Sequence, residues 1–356
     1  MRKVYRIGNR FDLVICMLPT VLVTGANGFL GNHLVRELLQ RGYPVRALVR
    51  NGKRSPLLTD LPIEIAAGDV TNMEDMLRAV EGCGYIIHAA ALASVNPARS
   101  LAHWRVNYHG TENVVYAAQQ AKVHRLVYVG TANVFGFGSL ETPGNELFTY
   151  VGDRYGLDYM DSKRAATDYL VGEAQMGLPV VLVHPTFMLG PMDSKPTSGA
   201  LLLELARGRV PAYPPGGKNY VHVRDVAVAT VNALAMGRLG ESYLLGNENL
   251  TYRAAFGLMA DVLNVVPPRF ALPRLLLQLY GRMSDVWAKV SHQITAFNGP
   301  MARVACDGHY VDCSKAIQEL DLPQTPVRAA IQEAVEWFSQ NGYLTQLYET
   351  TDSVTS

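Results

Sequence analysis

Eight consecutive residues constrain this chain more than any others. Thr24-Gly25-Ala26-Asn27-Gly28-Phe29-Leu30-Gly31 follows an apolar strand pattern, Val21-Leu22-Val23, and opens an amphipathic helical pattern reaching about Arg41. Glycine weakens a regular element, so three of them at a strand-to-helix turn need a reason. The backbone there must turn sharply and come close to something. The helix that follows offers unpaired N–H groups and the positive end of its dipole. That combination suits a pyrophosphate, and the strand–turn–helix context is the condition that separates it from a chance glycine run. Gly25, Asn27, Gly28, Phe29, Leu30 and Gly31 are the expected contacts of a dinucleotide.

The first half of the chain repeats the alternation. Strand patterns at Val45–Val49, Ile63–Ala67, Tyr85–Ala89, Arg125–Val129 and Val180–Val183 are interleaved with helical patterns near Met73–Val80, Leu101–Ala121 and Tyr159–Ala174. This predicts an α/β fold with a doubly wound parallel sheet, a Rossmann architecture. After Pro191 prolines become dense and bracket a helical pattern over Ser198–Arg207. Tyr220–Val223 reads as a strand returning to the first domain, with a helix from Asp225 to Ala235 and a short strand at Tyr243–Leu245. From Thr251 to Asn341 the pattern is mostly helical. The expected division is a dinucleotide-binding domain over 17–192, with 219–247 returning to it. A smaller, mostly helical substrate lobe takes 193–218 and 248–345. Residues 1–16 read as an extension and 346–356 as a polar tail.

Composition narrows the partners. The 356 residues carry a net charge of +1, which gives no bulk electrostatic case for nucleic acid. No apolar run is long enough for an integral membrane segment. Arg2, Lys3, Arg6 and Arg10 before Phe11–Cys16 imitate a signal peptide, but Asp12 interrupts the apolar run and no small-residue cleavage site follows. Cys16, Cys83, Cys306 and Cys313 form no CxxC pair and read as reduced thiols of a cytoplasmic protein. Cys306, His309 and Cys313 match no common ligand spacing, so no metal is expected.

Several positions point to chemistry. Arg50 ends the second strand pattern and opens a basic cluster with Lys53 and Arg54. An acidic residue there accepts from the ribose hydroxyls of NAD; a basic one suits the 2′-phosphate of NADP. The alternative is a solvated basic loop. Asp69, beside Val70 after the third strand, is either an acceptor for the adenine amino group or a helix cap. Ala89, Ala90 and Ala91 after His88 leave room for ribose and phosphates. Tyr159 and Lys163 lie four apart on one helix face. A nearby ammonium favours the phenolate and draws a tyrosine pKa down from ~10 toward neutrality, which makes the phenol a usable acid or base. Phe135, Phe137, Phe148, Tyr150 and Tyr155 crowd the preceding loop. With Met188 they suggest an apolar, ring-bearing small-molecule substrate, or else a loop packing on itself. The amphipathic segment 272–287 reads as a packed helix, with rimming the substrate pocket or touching a membrane surface as the alternatives.

Taken together, TGANGFLG at 24–31, GDV at 68–70, HAAA at 88–91, VNYHGTENV at 106–114, YMDSK at 159–163, HPTFMLGP at 184–191 and YVHVRDVA at 220–227 resemble the extended short-chain dehydrogenase/reductases. The resemblance runs from about Pro19 to Tyr343 and is to the dihydroflavonol-reductase-like and 3β-hydroxysteroid-dehydrogenase-like branch. It implies Tyr159 as catalytic acid/base and Lys163 as holder of the nicotinamide ribose. It implies Thr131 as the hydroxyl on the reacting oxygen, Asn107 as a supporting residue, and Pro185 against the carboxamide. It also implies a homodimer formed through helices near 101–121 and 159–176. Three positions depart from the pattern: Thr131 for serine, His184 for arginine, and Arg224 for aspartate, with Asp225 kept. The expected activity is NADP-dependent interconversion of a carbonyl and an alcohol, with NAD as second choice of cofactor. Two alternatives stand beside it. One is a nucleotide-sugar epimerase, against which Gly216–Tyr220 offers only Lys218 where an arginine is usual. Ala132, beside the hydroxyl, argues against a dehydratase. The other is a non-enzymatic NADP-binding regulatory module.

Overall fold

The computed structural model describes residues 18–291 and 298–344. The expected extension at 1–16 and tail at 346–356 lie outside them. Six strands of the first half, β1 (Thr20–Thr24), β2 (Val45–Val49), β3 (Glu64–Ala67), β4 (Cys83–His88), β5 (Arg125–Val129) and β6 (Val180–Pro185), form a parallel sheet in the order β3-β2-β1-β4-β5-β6. Ser242–Leu245 extends it beyond β6, also parallel. Crossing from β1 to β2 on one side and to β4 on the other makes β1 the switch point, where an open α/β sheet has its crevice.

Alternation along the strands builds three layers. Val21 and Val23 join helix α1 (Phe29–Gln40) and the Val223–Asn232 helix in one core. Leu22 points the other way, into a core with helix α2 (Met73–Val80) and the Gly110–Ala121 and Asp158–Gln175 helices. Period-two alternation on a sheet covered on both faces makes most inner positions apolar, with Thr24, His88 and His184 the buried polar ones near the strand ends.

Two elements differ from the sequence expectation. The run 101–121 is not one regular helix: Leu101–His103 passes through a π turn, Trp104–His109, before Gly110–Ala121. The Thr111 hydroxyl donates to the Asn107 carbonyl at 2.7 Å and substitutes for regular pairing. Such π turns aim side chains that a regular helix would point elsewhere. The strand near Tyr220 also forms, over Gly217–His222, but it does not join the large sheet. It pairs with Phe187–Leu189, Glu248–Thr251 and Gly308–His309 in a second sheet, because Tyr220 buries in the second lobe's own core with Leu189, Phe256 and Phe338. The return is made instead by the Val223–Asn232 helix, packed on α1, and by Ser242–Leu245. Arg224 clasps the lobes by pairing with Glu333, while Asp225 accepts from the Thr325 amide and hydroxyl at 2.8 and 2.9 Å.

Candidate active site

The glycine turn is built for close approach. Gly25 has φ +71°, and a Cβ there would lie 2.7 Å from the Ala89 carbonyl carbon and the Ala90 nitrogen. A Cβ on Gly31 would come within 2.0 Å of the Gly25 oxygen, so α1 presses directly on the turn. Gly28 opens α1 with no side-chain cap and no acid in the first turn. By contrast α2 has Asn72 as cap and Glu74 and Asp75 in its first turn. The first-turn amides and positive dipole end of α1 are therefore left for an external anion. Leu30 is buried in the core and Phe29 packs edge-on to His33 at 5.9 Å, so both offer a ligand their backbone rather than their side chains.

Asn27 connects this turn to the basic loop. Its Nδ2 donates to the Lys53 carbonyl and its Oδ1 accepts from the Ser55 amide, both at 2.9 Å. Arg50 and Lys53 are exposed, and no hydrogen bond or ion pair among the described residues engages either side chain. Arg54 is used locally, on the Thr59 and Ile63 carbonyls. Asn72 caps α2, so the cap alternative for Asp69 does not hold. Asp69 Oδ1 accepts from the Thr71 amide and hydroxyl at 2.9 and 2.8 Å, in a tight local turn. Val70 is buried, and its carbonyl accepts from Asn113 at 2.9 Å.

Behind Ala89 and Ala90, both half-buried, and Ala91, which is exposed, runs a polar chain that links residues of three separate motifs. The Ala90 amide donates to Thr24 Oγ1 at 3.1 Å, which meets His88 Nδ1 at 2.7 Å. His88 Nε2 meets Thr111 Oγ1 at 3.2 Å. Because Thr111 spends its proton on Asn107, the chain is satisfied with His88 neutral and its proton on Nε2. Burial, with Lys163 nearby, holds its pKa at about 3. The Asn107 side chain bridges the Leu92 backbone, 2.8 and 3.1 Å, and Ser162 Oγ at 3.1 Å. It thereby ties the loop after β4 to the helix carrying Tyr159.

The structure brings Thr131, Tyr159 and Lys163 together at the ends of β5 and β6. Thr131 Oγ1 accepts from the Asn133 amide at 3.4 Å, and the Thr131 hydroxyl lies near enough to the Tyr159 phenol to favour its ionised form. Lys163 is buried, donates to the Val129 carbonyl at 2.7 Å and lies 4.3 Å from the Tyr128 ring centre. The expectation of a lowered tyrosine pKa is corrected here. Burial raises the Tyr159 pKa above its usual value, and the nearby Thr131 hydroxyl offsets this only partly. Lys163 is itself pushed down to about 7 by burial, since no carboxylate compensates its charge. Its ammonium is occupied with a carbonyl and a ring. A pH signature follows: between pH 7 and 9 the unfolded chain holds a Lys163 proton that the folded chain has released, so stability rises with pH. Urea unfolding of Lys163→Met is expected to lack that part of the rise.

The loop aromatics divide. Phe135 is buried in the main core, edge-on to His184 at 4.8 Å, and is a packing residue rather than a pocket wall. His184 is fully buried, its pKa held at about 3 by burial, in space that Gly130 leaves open. Phe137, Tyr150 and Tyr159, with Val95 and Ala98, pack against one buried apolar cluster of Tyr155, Leu157, Met160 and Val304. Tyr155 is buried, its hydroxyl donating to Asp307 at 2.6 Å. Pro185 ends β6, buried, and Met188 is half-buried just beyond it. The sequence did not show what His309 and Lys218 touch. His309 stacks 4.1 Å from Phe137, and half-buried Lys218 lies 5.3 Å over the Phe187 ring with its pKa lowered to about 8 by burial. Cys306 and Cys313 are buried free thiols; no metal-binding group of three or more His, Cys, Asp or Glu occurs among the described residues.

Known proteins are similar to this chain over most of its length. A Synechocystis sp. protein provisionally named dihydroflavonol 4-reductase is 34% identical over 342 residues, 93% of this chain and 97% of that one. Sterol demethylase protein B of Methylococcus capsulatus is 32% identical over 328 residues, 91% of this chain and all of that one. Among solved structures, that of gox2253 superposes with a TM-score of 0.80 at 30% identity, covering 92% and 99% of the two chains. Residues 21–246, the sheet and its glycine turn included, match the NAD dependent epimerase/dehydratase family, and the chain belongs to that family.

Proposed function

We propose that the protein is an NADP-dependent oxidoreductase that interconverts a carbonyl and an alcohol on a small apolar, ring-bearing substrate. The observation that carries this is buried Lys163 bound to the Val129 carbonyl at the end of β5, on the helix that also carries Tyr159, with the Thr131 hydroxyl near the phenol. The glycine turn fits a pyrophosphate, since any Cβ at Gly25 or Gly31 would collide with backbone. Arg50 and Lys53, free and strapped to that turn through Asn27, suit a 2′-phosphate. Bound nicotinamide would supply the hydride in the reducing direction. Thr131 orients and hydrogen-bonds the carbonyl oxygen, and Tyr159 delivers its proton to that oxygen as negative charge develops. A half-buried phenol with a raised pKa holds its proton at neutral pH until then. Lys163, given ribose hydroxyls to donate to, keeps its charge beside the phenol and favours the phenolate left behind. Asn107 fixes the helix register through Ser162. Phe137, Tyr150, Val95 and Ala98 favour an apolar substrate.

The epimerase alternative rests on the family's own name; toward a diphosphate the segment offers Lys218, which no ion pair among the described residues engages. The separating experiment supplies NADPH with a panel of ring-bearing ketones and aldehydes, and in parallel UDP- and dTDP-sugars. NADPH oxidation with a ketone or aldehyde is expected. Sugar interconversion without net cofactor change would assign the epimerase instead, and saturable NADPH binding with neither would assign the regulatory module.

A further inference from the structure

The Arg274–Ser291 helix does not pack as its amphipathic pattern suggests. Leu277 is buried beneath it, and Gly281 lies against the Gly299–Ala305 helix so closely that a Cβ would meet Ala302 and Gly299 at 2.8 and 2.9 Å. Asp285, the helix's one acid, is turned to the same side and accepts from the Gly299 amide at 3.0 Å. Residues 277, 281 and 285 repeat every four and define the inner face. Opposite them Leu275, Leu279, Met283, Val286, Trp287 and Val290 are 51–76% exposed. At 3.6 residues per turn these six fall within an arc of roughly 120°. That is a continuous apolar stripe along an 18-residue helix.

We infer that this stripe is a docking surface for a lipid bilayer carrying anionic headgroups, with the helix lying in the interface. The free charges at its borders are cationic. Arg282 beside the stripe and Arg269 ahead of the helix are exposed, and no ion pair among the described residues engages them. The helix's acid faces inward. The chain's near-zero net charge conceals this local asymmetry. Apolar residues with tryptophan on one face and arginine at its edge match an interfacial helix. The helix is not long and apolar enough to cross a membrane, so it lies on the surface. A second copy fits less well. Antiparallel self-pairing would bring the two Arg282 side chains together near the helix midpoint, with no carboxylate on the face to compensate. The surface stands independently of the reaction assigned above. Its consequence for substrate rests on that reading: the Gly299–Ala305 helix beneath carries Val304, which packs with Leu157, Met160 and Tyr159. Docking would therefore bring the cleft close to a reservoir of apolar carbonyl compounds.

The test is co-sedimentation of the full chain with phosphatidylcholine vesicles, with and without phosphatidylglycerol, alongside sedimentation velocity without lipid. Wild type is expected to bind the anionic vesicles. Met283→Asp/Trp287→Asp, which disturbs no inner-face contact, is expected to bind at least about tenfold more weakly. Arg282→Glu is expected to lose the preference for phosphatidylglycerol. Thermal melting and NADPH binding should be unchanged in these variants, which keeps a folding defect, or a failed cofactor assignment, distinguishable from failed docking. Absence of wild-type binding, equal binding by the variants, or a self-associated species dissociated by Met283→Asp/Trp287→Asp would each overturn the proposal.

Discussion

Tyr159→Phe is expected to lower carbonyl turnover by on the order of 10³-fold, the usual scale for a general acid, with NADPH affinity unchanged within about twofold. The ring stays, so its packing against the Tyr155, Leu157, Met160 and Val304 cluster and its edge contact with His103 at 6.5 Å are retained. What goes is the proton that Thr131 orients. Because burial holds the phenol above its usual pKa, wild-type reduction should not collapse as pH rises through neutrality. Single-turnover kinetics with NADPH in excess would separate binding from chemistry. Wild-type-like turnover in this variant would remove Tyr159 from the mechanism.

The second large effect concerns cofactor choice. Arg50→Glu is expected to weaken NADPH relative to NADH by on the order of 10²-fold. A charge-assisted hydrogen bond contributes about 1.5–3 kcal/mol, and each 1.4 kcal/mol is a factor of ten. Arg50 has no structural duty to lose, being exposed and unengaged at the end of β2, so its removal should leave the melting temperature in place. Fluorescence titration with both nucleotides reads the ratio directly. An unchanged ratio would return Arg50 to the class of solvated loop residues.

Much of the site was legible because its signals are local. The Tyr159–Lys163 spacing is a property of one helix. The glycines of 24–31 act on neighbours within one turn, apart from the contact of Gly25 with Ala89. The cleft's polar support was not legible, since its partners are distant. Thr24 and His88 stand 64 positions apart, and Asn27 reaches the loop at Lys53 and Ser55 across 26 and 28. Phe135 and Phe137, two apart in one loop, took opposite fates, one in the core and one beside Tyr159.

The sequence by itself determined the parallel sheet, the glycine cradle at its first turn, and which helix carries the tyrosine and lysine. Period, spacing and turn chemistry are short-range and survive without knowledge of what packs where. Tertiary structure alone decided how those groups titrate and what they touch. Lys163 lost its expected hold on the Tyr159 pKa because burial penalises its own charge and turns it toward Val129 and Tyr128. The Arg274–Ser291 helix kept its amphipathic pattern but set its apolar face outward, because close packing at Gly281 chose the opposite face for the interior. Burial is a property of distant segments meeting, and no window of neighbouring residues contains it.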